Sequence, residues 1–236
     1  MRQVTLQMGM SLDGYVASDR QHPGVAVPED AELVRWKADR VAKAGAHLMG
    51  RTTYLEMASY WPHAAGAYAA PMNDIPKIVF SSTLREASWP TTRIAGGDLA
   101  AEIAAIKGEP GPDVMVHGGA SFAAALAAQR LIDEYCLVIQ PAAVGSGQAL
   151  FAKLPAALRL ELIEAKSFEC GVVVHIYRPR NDCVRDGLAA ATGRGGTSGA
   201  CRNDSRYSGR WPRQRMRSSR CSPTRRATSP STAPAC

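Results

Sequence analysis

Short apolar runs alternate with helical patterns along most of the chain, and this order limits the fold more than any other feature. Up to residue 129, runs typical of strands are separated by segments in which apolar residues recur at helical spacing. Beyond that point three strand patterns follow one another. Such an order favours a mainly parallel sheet with helices on both faces, to which the last strands add an antiparallel edge.

Apolar spacing and turn residues together set the expected bounds of the elements. Strands are predicted at residues 3–10, 46–49, 77–80, 93–94, 114–117, 135–139, 158–166 and 172–177. Helices are predicted from Asp30 to just before Gly45 and at residues 52–59, 99–107 and 121–129. Residues 22–28 and 62–74 are expected to be loops, and residues 169–171 to turn the final hairpin.

The charge of the chain is concentrated at its carboxyl end. The whole chain carries a formal net charge of +7. Of its 28 Lys and Arg residues 11 lie in residues 181–236, and of its 21 Asp and Glu residues only 3, so residues 1–180 hold 17 basic and 18 acidic side chains. We therefore predict one folded domain over residues 1–180 and a separate basic tail over residues 181–236.

The tail has too few large apolar residues to fold by itself. Arg, Ser, Gly, Thr, Ala and Pro dominate it, and Ile, Phe, Lys, Glu and His are absent. Ordering such a segment costs roughly 1–2 kcal/mol per residue, which its composition cannot offset, so we expect disorder. It is either an arginine-rich nucleic-acid-binding extension or a segment without its own function, such as the product of a shifted reading frame. The second interpretation is favoured because aromatic interleaving and helical patterning are missing. The spacing of its four Cys residues matches no zinc site.

Three predicted strands end in small, polar turns, and these turns are the candidate ligand site. In a parallel sheet such turns gather at the carboxyl edge of the strands, where ligands bind. Two of them open helices, whose free N–H groups and positive ends suit phosphate. The turn residues are Gly50, Arg51, Thr52 and Thr53, then Ser81 and Ser82, then Gly118, Gly119, Ala120 and Ser121.

Arg51 adds a fixed positive charge to the first turn, of the kind that suits a further phosphate such as the 2′-phosphate of NADPH. Three such turns at one edge favour a dinucleotide. The common nucleotide fingerprints are missing, since the chain has no P-loop and the G-x-G of residues 1–180, Gly145 to Gly147, has Leu150 at the third glycine position.

A serine hydrolase is a competing interpretation. Residues 119–123 approximate the nucleophile elbow around Ser121, and Asp133 and His175 follow in the chain order of the α/β hydrolases. His175, however, lies within a strand pattern, where a half-buried structural histidine is the commoner outcome.

Several motifs in fixed order resemble the dihydrofolate reductase superfamily. The closest resemblance is to stand-alone relatives of the reductase domain of the riboflavin-biosynthesis deaminase-reductase, and it spans about residues 2–178. The motifs are MSLDGYVA at residues 10–17, LMGRTTY at 48–54, KIVFSS at 77–82, HGGASF at 117–122 and LIDE at 131–134, followed by Pro141, Gly145, Gly147, Leu150 and Phe151.

The resemblance implies a dihydrofolate-reductase-like α/β fold with NADPH across the strand ends. It places the adenosine-side phosphates at residues 50–53, with Ser81 and Ser82 nearby, and the pyrophosphate at residues 118–121. For the substrate side it implies two candidate catalytic carboxylates. Glu32 lies on the first helix, where dihydrofolate reductases carry their carboxylate, and Asp13 lies where riboflavin-type reductases face their substrate.

We therefore predict an NADPH-dependent reductase acting on a small pterin-, pyrimidine- or imine-type substrate. The alternatives are a non-catalytic nucleotide-binding module of the same fold and the serine hydrolase. The chain shows no signal-peptide pattern and no apolar run of the ~18 residues needed to span a membrane. We accordingly expect a cytoplasmic protein without a membrane partner. The apolar last strands and the family resemblance favour a homodimer. We expect no metal, and any nucleic-acid contact should be confined to the tail.

Overall fold

The computed structural model describes residues 1–17 and 29–180. The predicted loop at 22–28 and the predicted tail at 181–236 lie outside the described residues. The strands are β1 Val4–Met10, β2 Tyr15–Ala17, β3 Ala46–Gly50, β4 Lys77–Phe80, β5 Thr92–Ala95, β6 Val114–His117, β7 Glu134–Ile139, β8 Gln148–Ala149, β9 Leu160–Ser167 and β10 Val173–Pro179. The helices are α1 Ala31–Ala42, α2 Arg51–Tyr60, α3 Ala69–Asp74, α4 Leu99–Gly108 and α5 Ala120–Ala128.

One sheet of eight strands organises the described residues, in the order β5-β4-β3-β6-β1-β7-β10-β9. The first six strands in this order, from β5 across to β7, pair in parallel. Strand β10 pairs antiparallel to both β7 and β9. The sequence therefore predicted both the parallel body and the antiparallel edge correctly. The predicted hairpin turn is also confirmed, because Gly171 donates its N–H to Phe168 O at 2.9 Å between β9 and β10.

The alternating residues of the strands supply one large core on one face of the sheet and two smaller clusters on the other. Leu6 and Leu48 are fully buried in the larger core, which also takes in Leu126 of α5. On the other face Leu33 of α1 packs with Val174 and its neighbours on β7 and β10. Helices therefore cover both faces, as predicted, and the carboxyl ends of the parallel strands are left to form a cleft.

Three parts of the structure differ from the sequence prediction. The segment 62–74, predicted as loop, contains the end of a 3-10 turn at Trp61–His63 and the short helix α3. Strands β2 and β8, which pair antiparallel with each other, were also missed. Segments this short carry too few residues for a periodic pattern, and long-range contacts determine them instead. Among the described residues, no helix is long and apolar enough to cross a membrane.

Candidate functional site

A cleft of about 660 Å³ opens at the carboxyl ends of β1, β3 and β6. This volume lies within the range of small-molecule sites, which is about 300–1,000 Å³. Two of the three predicted turns meet there, with all eight of their residues. The lining comprises Gln7, Met8, Gly9, Val16, Gly50, Arg51, Thr52, Thr53, Glu56, Gly118, Gly119, Ala120, Ser121, Phe122 and Gln148.

The two long helices that begin at the cleft, α2 and α5, begin differently from the long helices α1 and α4. In α1 and α4 an aspartate side chain caps the first turn, with Asp30 accepting from Leu33 N and Asp98 from Ala101 N. In α2 and α5 the cap residues are Gly50 and Gly119, and neither helix has a side-chain cap. Their first N–H groups thus face the cleft without a protein acceptor, and with the positive helix ends they suit an anion.

The Gly118–Gly119 turn has a backbone shape that favours glycine. Gly118 has φ +52° and Gly119 has φ +78°, both in the left-handed region. A Cβ on Gly119 would lie 2.8 Å from Thr53 Oγ1, so the two turns approach each other too closely for any side chain at this position. Because these two glycines have no side chains, the floor of the cleft consists of backbone atoms.

The first turn provides the positive charge of the cleft. Arg51 is exposed and forms no ion pair with a described residue. Ser121 is also exposed, and its hydroxyl makes no hydrogen bond within the described part of the chain. Glu56, one helical turn after Thr52, is the acidic residue of the lining. Within the described part of the chain, the cleft thus presents the unpaired charge of Arg51 and the unbonded hydroxyl of Ser121 beside two helix starts without side-chain caps.

Ser81 and Ser82 follow β4, next to the first turn, but they do not line the cleft. Gly50 pairs with Phe80 in the parallel register, which places Ser81 one residue beyond the strand pair. The Ser81 hydroxyl accepts from Leu84 N at 2.9 Å and so shapes its own turn. Their predicted role near the adenosine stays a prediction.

A second cavity of about 170 Å³ lies between β1 and α1, and it shares Gln7 and Gly9 with the cleft. Its other lining residues are Glu29, Leu33, Lys37, Val138, Gln140 and Val172. Glu29 and Lys37 form an ion pair at its wall. Four residues of the cleft lining were not predicted from the sequence, because they lie on strands rather than in glycine-rich turns: Gln7, Gly9, Val16 and Gln148.

Asp13 fastens the turn after β1 to a distant loop. Its carboxylate accepts from Val144 N at 3.1 Å and from Gly145 N at 2.7 Å. Hydrogen bonds from Ser11 and from the Gly145 N–H lower the pKa of Asp13 from 3.8 to about 2. Near neutral pH Asp13 is therefore a carboxylate that accepts hydrogen bonds and is unsuited to donating a proton. A direct contact with substrate stays a prediction.

Glu32 lies in the first turn of α1 and is half exposed. It forms an ion pair with Lys166 of β9 at 2.8 Å. It lines neither cavity, whereas Glu29, three residues earlier, lines the second one. The role of Glu32 as a proton donor stays a prediction.

Two buried histidines lie behind the Gly118–Gly119 turn. His117 Nε2 is 2.9 Å from His47 Nδ1, and His47 Nε2 is 3.1 Å from Pro71 O. Burial lowers the pKa of His47 to about 4, and burial with the nearby His47 lowers the pKa of His117 well below its ordinary value. Both rings are therefore neutral at pH 7 and tie β6 to β3 and α3.

The residues predicted for a hydrolase triad are not assembled. Ser121 begins α5 at the carboxyl end of the parallel strands, whereas Asp133 precedes β7 at the opposite end and is bonded to Val4 N and Lys107 Nζ. His175 lies within β10, 3.2 Å from the Tyr177 hydroxyl. The serine hydrolase interpretation is therefore wrong, because the sheet separates the three side chains.

The sheet order, the antiparallel edge and the cleft define the class as an α/β protein of the dihydrofolate-reductase-like fold. The chain belongs to the family of the RibD C-terminal domain, which matches residues 2–174. This family is reductase-like and supports a reductase role for the chain.

Relatives of known sequence or structure agree with this assignment. Uncharacterised protein YyaP of Bacillus subtilis strain 168 is 32% identical over 101 residues, which are 43% of this chain and 53% of that protein. A putative riboflavin biosynthesis protein from Shewanella sp. PV-4 superposes with a TM-score of 0.58 at 21% identity, covering 76% of this chain and 99% of that one. A pyrimidine reductase-like protein from Corynebacterium diphtheriae gives a TM-score of 0.57 at 16% identity, covering 77% and 93%. The two structures show the shared fold.

Proposed function

We propose that this protein is a reductase that uses NADPH to reduce a small heterocyclic or imine-bearing substrate. The observation that carries the proposal is the pair of uncapped helix starts. Both helices begin at glycines in the same cleft, while α1 and α4 are capped by aspartates elsewhere. Two anion-binding helix ends facing one cleft suit the phosphates of a dinucleotide.

The residues present fit NADPH in charge as well as in shape. The Gly118–Gly119 turn and the α5 start offer backbone N–H groups to the pyrophosphate, and residues 50–53 offer theirs with two hydroxyls. Arg51, which has no ion-pair partner among the described residues, suits the 2′-phosphate that distinguishes NADPH from NADH. The buried oxygen Oε1 of Gln7, a residue that lines both cavities, also lacks a hydrogen-bond partner among the described residues.

NADPH would supply a hydride to the acceptor carbon of the substrate. The chain would hold the hydride donor and the acceptor next to each other where the cleft and the second cavity meet, since Gln7 and Gly9 line both. A pyrimidine is a suitable acceptor class because the Corynebacterium neighbour is described as pyrimidine reductase-like. The non-catalytic nucleotide-binding module predicts the same cofactor affinity without turnover.

The test is calorimetric titration of the full chain with NADPH and with NADH. We expect micromolar binding of NADPH and weaker binding of NADH. Arg51→Ala should remove the preference for NADPH, a loss of about tenfold in affinity for one charge-assisted contact. The matched control is Arg35→Ala, which changes an exposed arginine of α1 outside the cleft lining. Absence of binding by either nucleotide to the wild type would overturn the proposal.

We also propose that the protein is a homodimer. The edge strand β9 exposes Leu162 by 52% and Ile163 by 48%, and these are among the most exposed large apolar residues of the described chain. A second copy would remove this apolar surface from water. Light scattering on a sizing column should give twice the chain mass, and Leu162→Lys should shift it to one chain. A wild type that elutes as a monomer contradicts this proposal.

A further inference from the structure

The side chain of Gln7 lies where the two cavities meet. It projects from the middle of β1 and lines both the cleft and the second cavity. Its carboxamide oxygen Oε1 is buried and has no hydrogen-bond partner among the described residues. Buried polar atoms are nearly always hydrogen-bonded, so an exception within a cavity points to a ligand group.

The neighbours of Gln7 in the sheet do not satisfy this oxygen. In the parallel register Gln7 pairs with His117 on one side and with Cys136 on the other. The Nε2 atom of His117 is engaged with His47, and Cys136 is a buried free thiol that makes no hydrogen bond to Gln7. Neither atom of the Gln7 carboxamide is hydrogen-bonded to a described residue, so rotation about its terminal bond can turn the buried oxygen toward a molecule in either cavity.

We propose that Gln7 is the residue that positions the reacting rings, its Oε1 accepting an amide-type N–H from a ring bound at the junction. Two groups have this chemistry, and they are the carboxamide N–H of a nicotinamide in the cleft and a lactam N–H of the acceptor heterocycle in the second cavity. The inference rests on the proposed function. The experiment distinguishes the two N–H donors, and it also distinguishes failure of this inference from failure of the proposed function.

The experiment compares wild-type full chain with Gln7→Leu, which keeps the size of the side chain and removes the acceptor. Gln3→Leu is the matched control, since Gln3 precedes the same strand but is exposed and lines neither cavity. Because Gln7→Leu replaces an unpaired buried acceptor by an apolar group, its Tm without ligand should equal or exceed that of the wild type. A purely structural role for Gln7 predicts a lower Tm.

The cofactor arm measures dissociation constants for NADP⁺, for its 3-acetylpyridine analogue, which lacks the carboxamide N–H, and for 2′,5′-ADP, which lacks the ring. If the nicotinamide is the donor, the wild type should prefer NADP⁺ over the analogue by about tenfold, the value of one hydrogen bond. Gln7→Leu should lose this preference and Gln3→Leu should keep it. Affinity for 2′,5′-ADP should be equal in all three proteins.

The acceptor arm uses protein saturated with NADP⁺ and compares 2-pyridone with 1-methyl-2-pyridone by ligand-observed NMR. If the acceptor ring is the donor, the wild type should favour 2-pyridone and Gln7→Leu should not. Two affinity ratios are compared, that of NADP⁺ to its analogue and that of 2-pyridone to 1-methyl-2-pyridone. If Gln7→Leu changes one of them, the inference is supported, and the ratio that changes identifies the ring that donates the N–H. Binding of NADP⁺ with both ratios unchanged in Gln7→Leu overturns the inference alone, while failure of NADP⁺ and 2′,5′-ADP to bind overturns the proposed function.

Discussion

The two ends of the central parallel strands carry polar residues that are used in opposite ways. At the amino ends Glu134 accepts from both Arg40 and Arg178, and Asp133 accepts from Lys107 and from Val4 N. At the carboxyl ends α2 and α5 begin without side-chain caps, and the charge of Arg51 is unpaired among the described residues. At the amino ends the charged groups pair with one another and stabilise the fold, whereas at the carboxyl ends the polar groups remain available to a ligand.

A cavity alone does not distinguish the two ends. One of about 370 Å³ also opens at the amino ends, but its wall contains Arg40 and Glu134, which pair with each other at 2.9 Å. A bound anion there would have to compete with an existing ion pair. The availability of polar groups is therefore a better guide to a site than the volume of the cavity.

The largest expected effect comes from breaking the ion pairs at the amino ends. Glu134→Ala should lower the free energy of unfolding by about 3 kcal/mol, because it leaves the partly buried Arg40 without its carboxylate. Urea unfolding measures this loss, and NADPH affinity of the folded variant should not change. Arg93→Ala is the control, since it breaks the Arg93–Glu109 pair, in which both side chains are exposed, and should cost about 1 kcal/mol or less. A large change in NADPH affinity in Glu134→Ala would contradict the separation of the two ends.

The next effect concerns the carboxyl end. Gly119→Ala should weaken NADPH binding by about thirtyfold, equivalent to about 2 kcal/mol, because its Cβ would force the α5 start away from Thr53. Gly66→Ala is the matched control, with φ +102° and no atom within 4 Å of the new Cβ. It shares the backbone strain, so it should lose stability and keep its NADPH affinity. Calorimetry and thermal unfolding measure the two quantities, and equal NADPH affinity in both variants would count against the assigned cleft.

A smaller effect should appear in acid, through the His47–His117 pair behind the cleft. The folded protein keeps His47 neutral down to about pH 4, whereas the unfolded chain takes up the proton near pH 6.5. The stabilisation is therefore complete above pH 6.5 and is lost as the pH falls toward 4, on the order of 2 kcal/mol at pH 5 for His47 alone. Urea unfolding at pH 7 and pH 5 should show a smaller decrease for His47→Gln than for the wild type.

The control for this measurement is His63→Gln, which changes an exposed histidine outside the pair. It should keep the decrease seen in the wild type. If the free energy of unfolding decreases equally in His47→Gln and in the wild type between pH 7 and pH 5, the histidine pair does not cause the loss of stability.

Most of the sheet was predictable from sequence because its buried strands have strong local patterns. The apolar run at residues 78–80 of β4 and the alternation of β1 each determine an element without knowledge of its neighbours. The two turns at residues 50–53 and 118–121 were also identified, since glycine and hydroxyl residues after a strand have a specific meaning. Local pattern thus revealed the part of the site that is made of backbone.

The part made by side chains from distant strands was not predictable. Gln7 looks like an ordinary polar residue in an alternating strand, and only the sheet order shows that its neighbours leave its oxygen unpaired. Similarly, the partners of Asp13 lie 131 and 132 residues away along the chain. A carboxylate near the start of a turn has the same local signature whether it faces a ligand or fastens a loop.

Strand β1 has a consequence for how the protein is made. Both of its partners, β6 and β7, begin more than 100 residues later in the chain. A ribosome therefore releases the first strand long before anything exists for it to pair with, while β3, β4 and β5 can already associate with one another. Strand β1 is thus made before either of its partners and pairs late, and until then its apolar face is exposed to the chaperones or the solvent around the nascent chain.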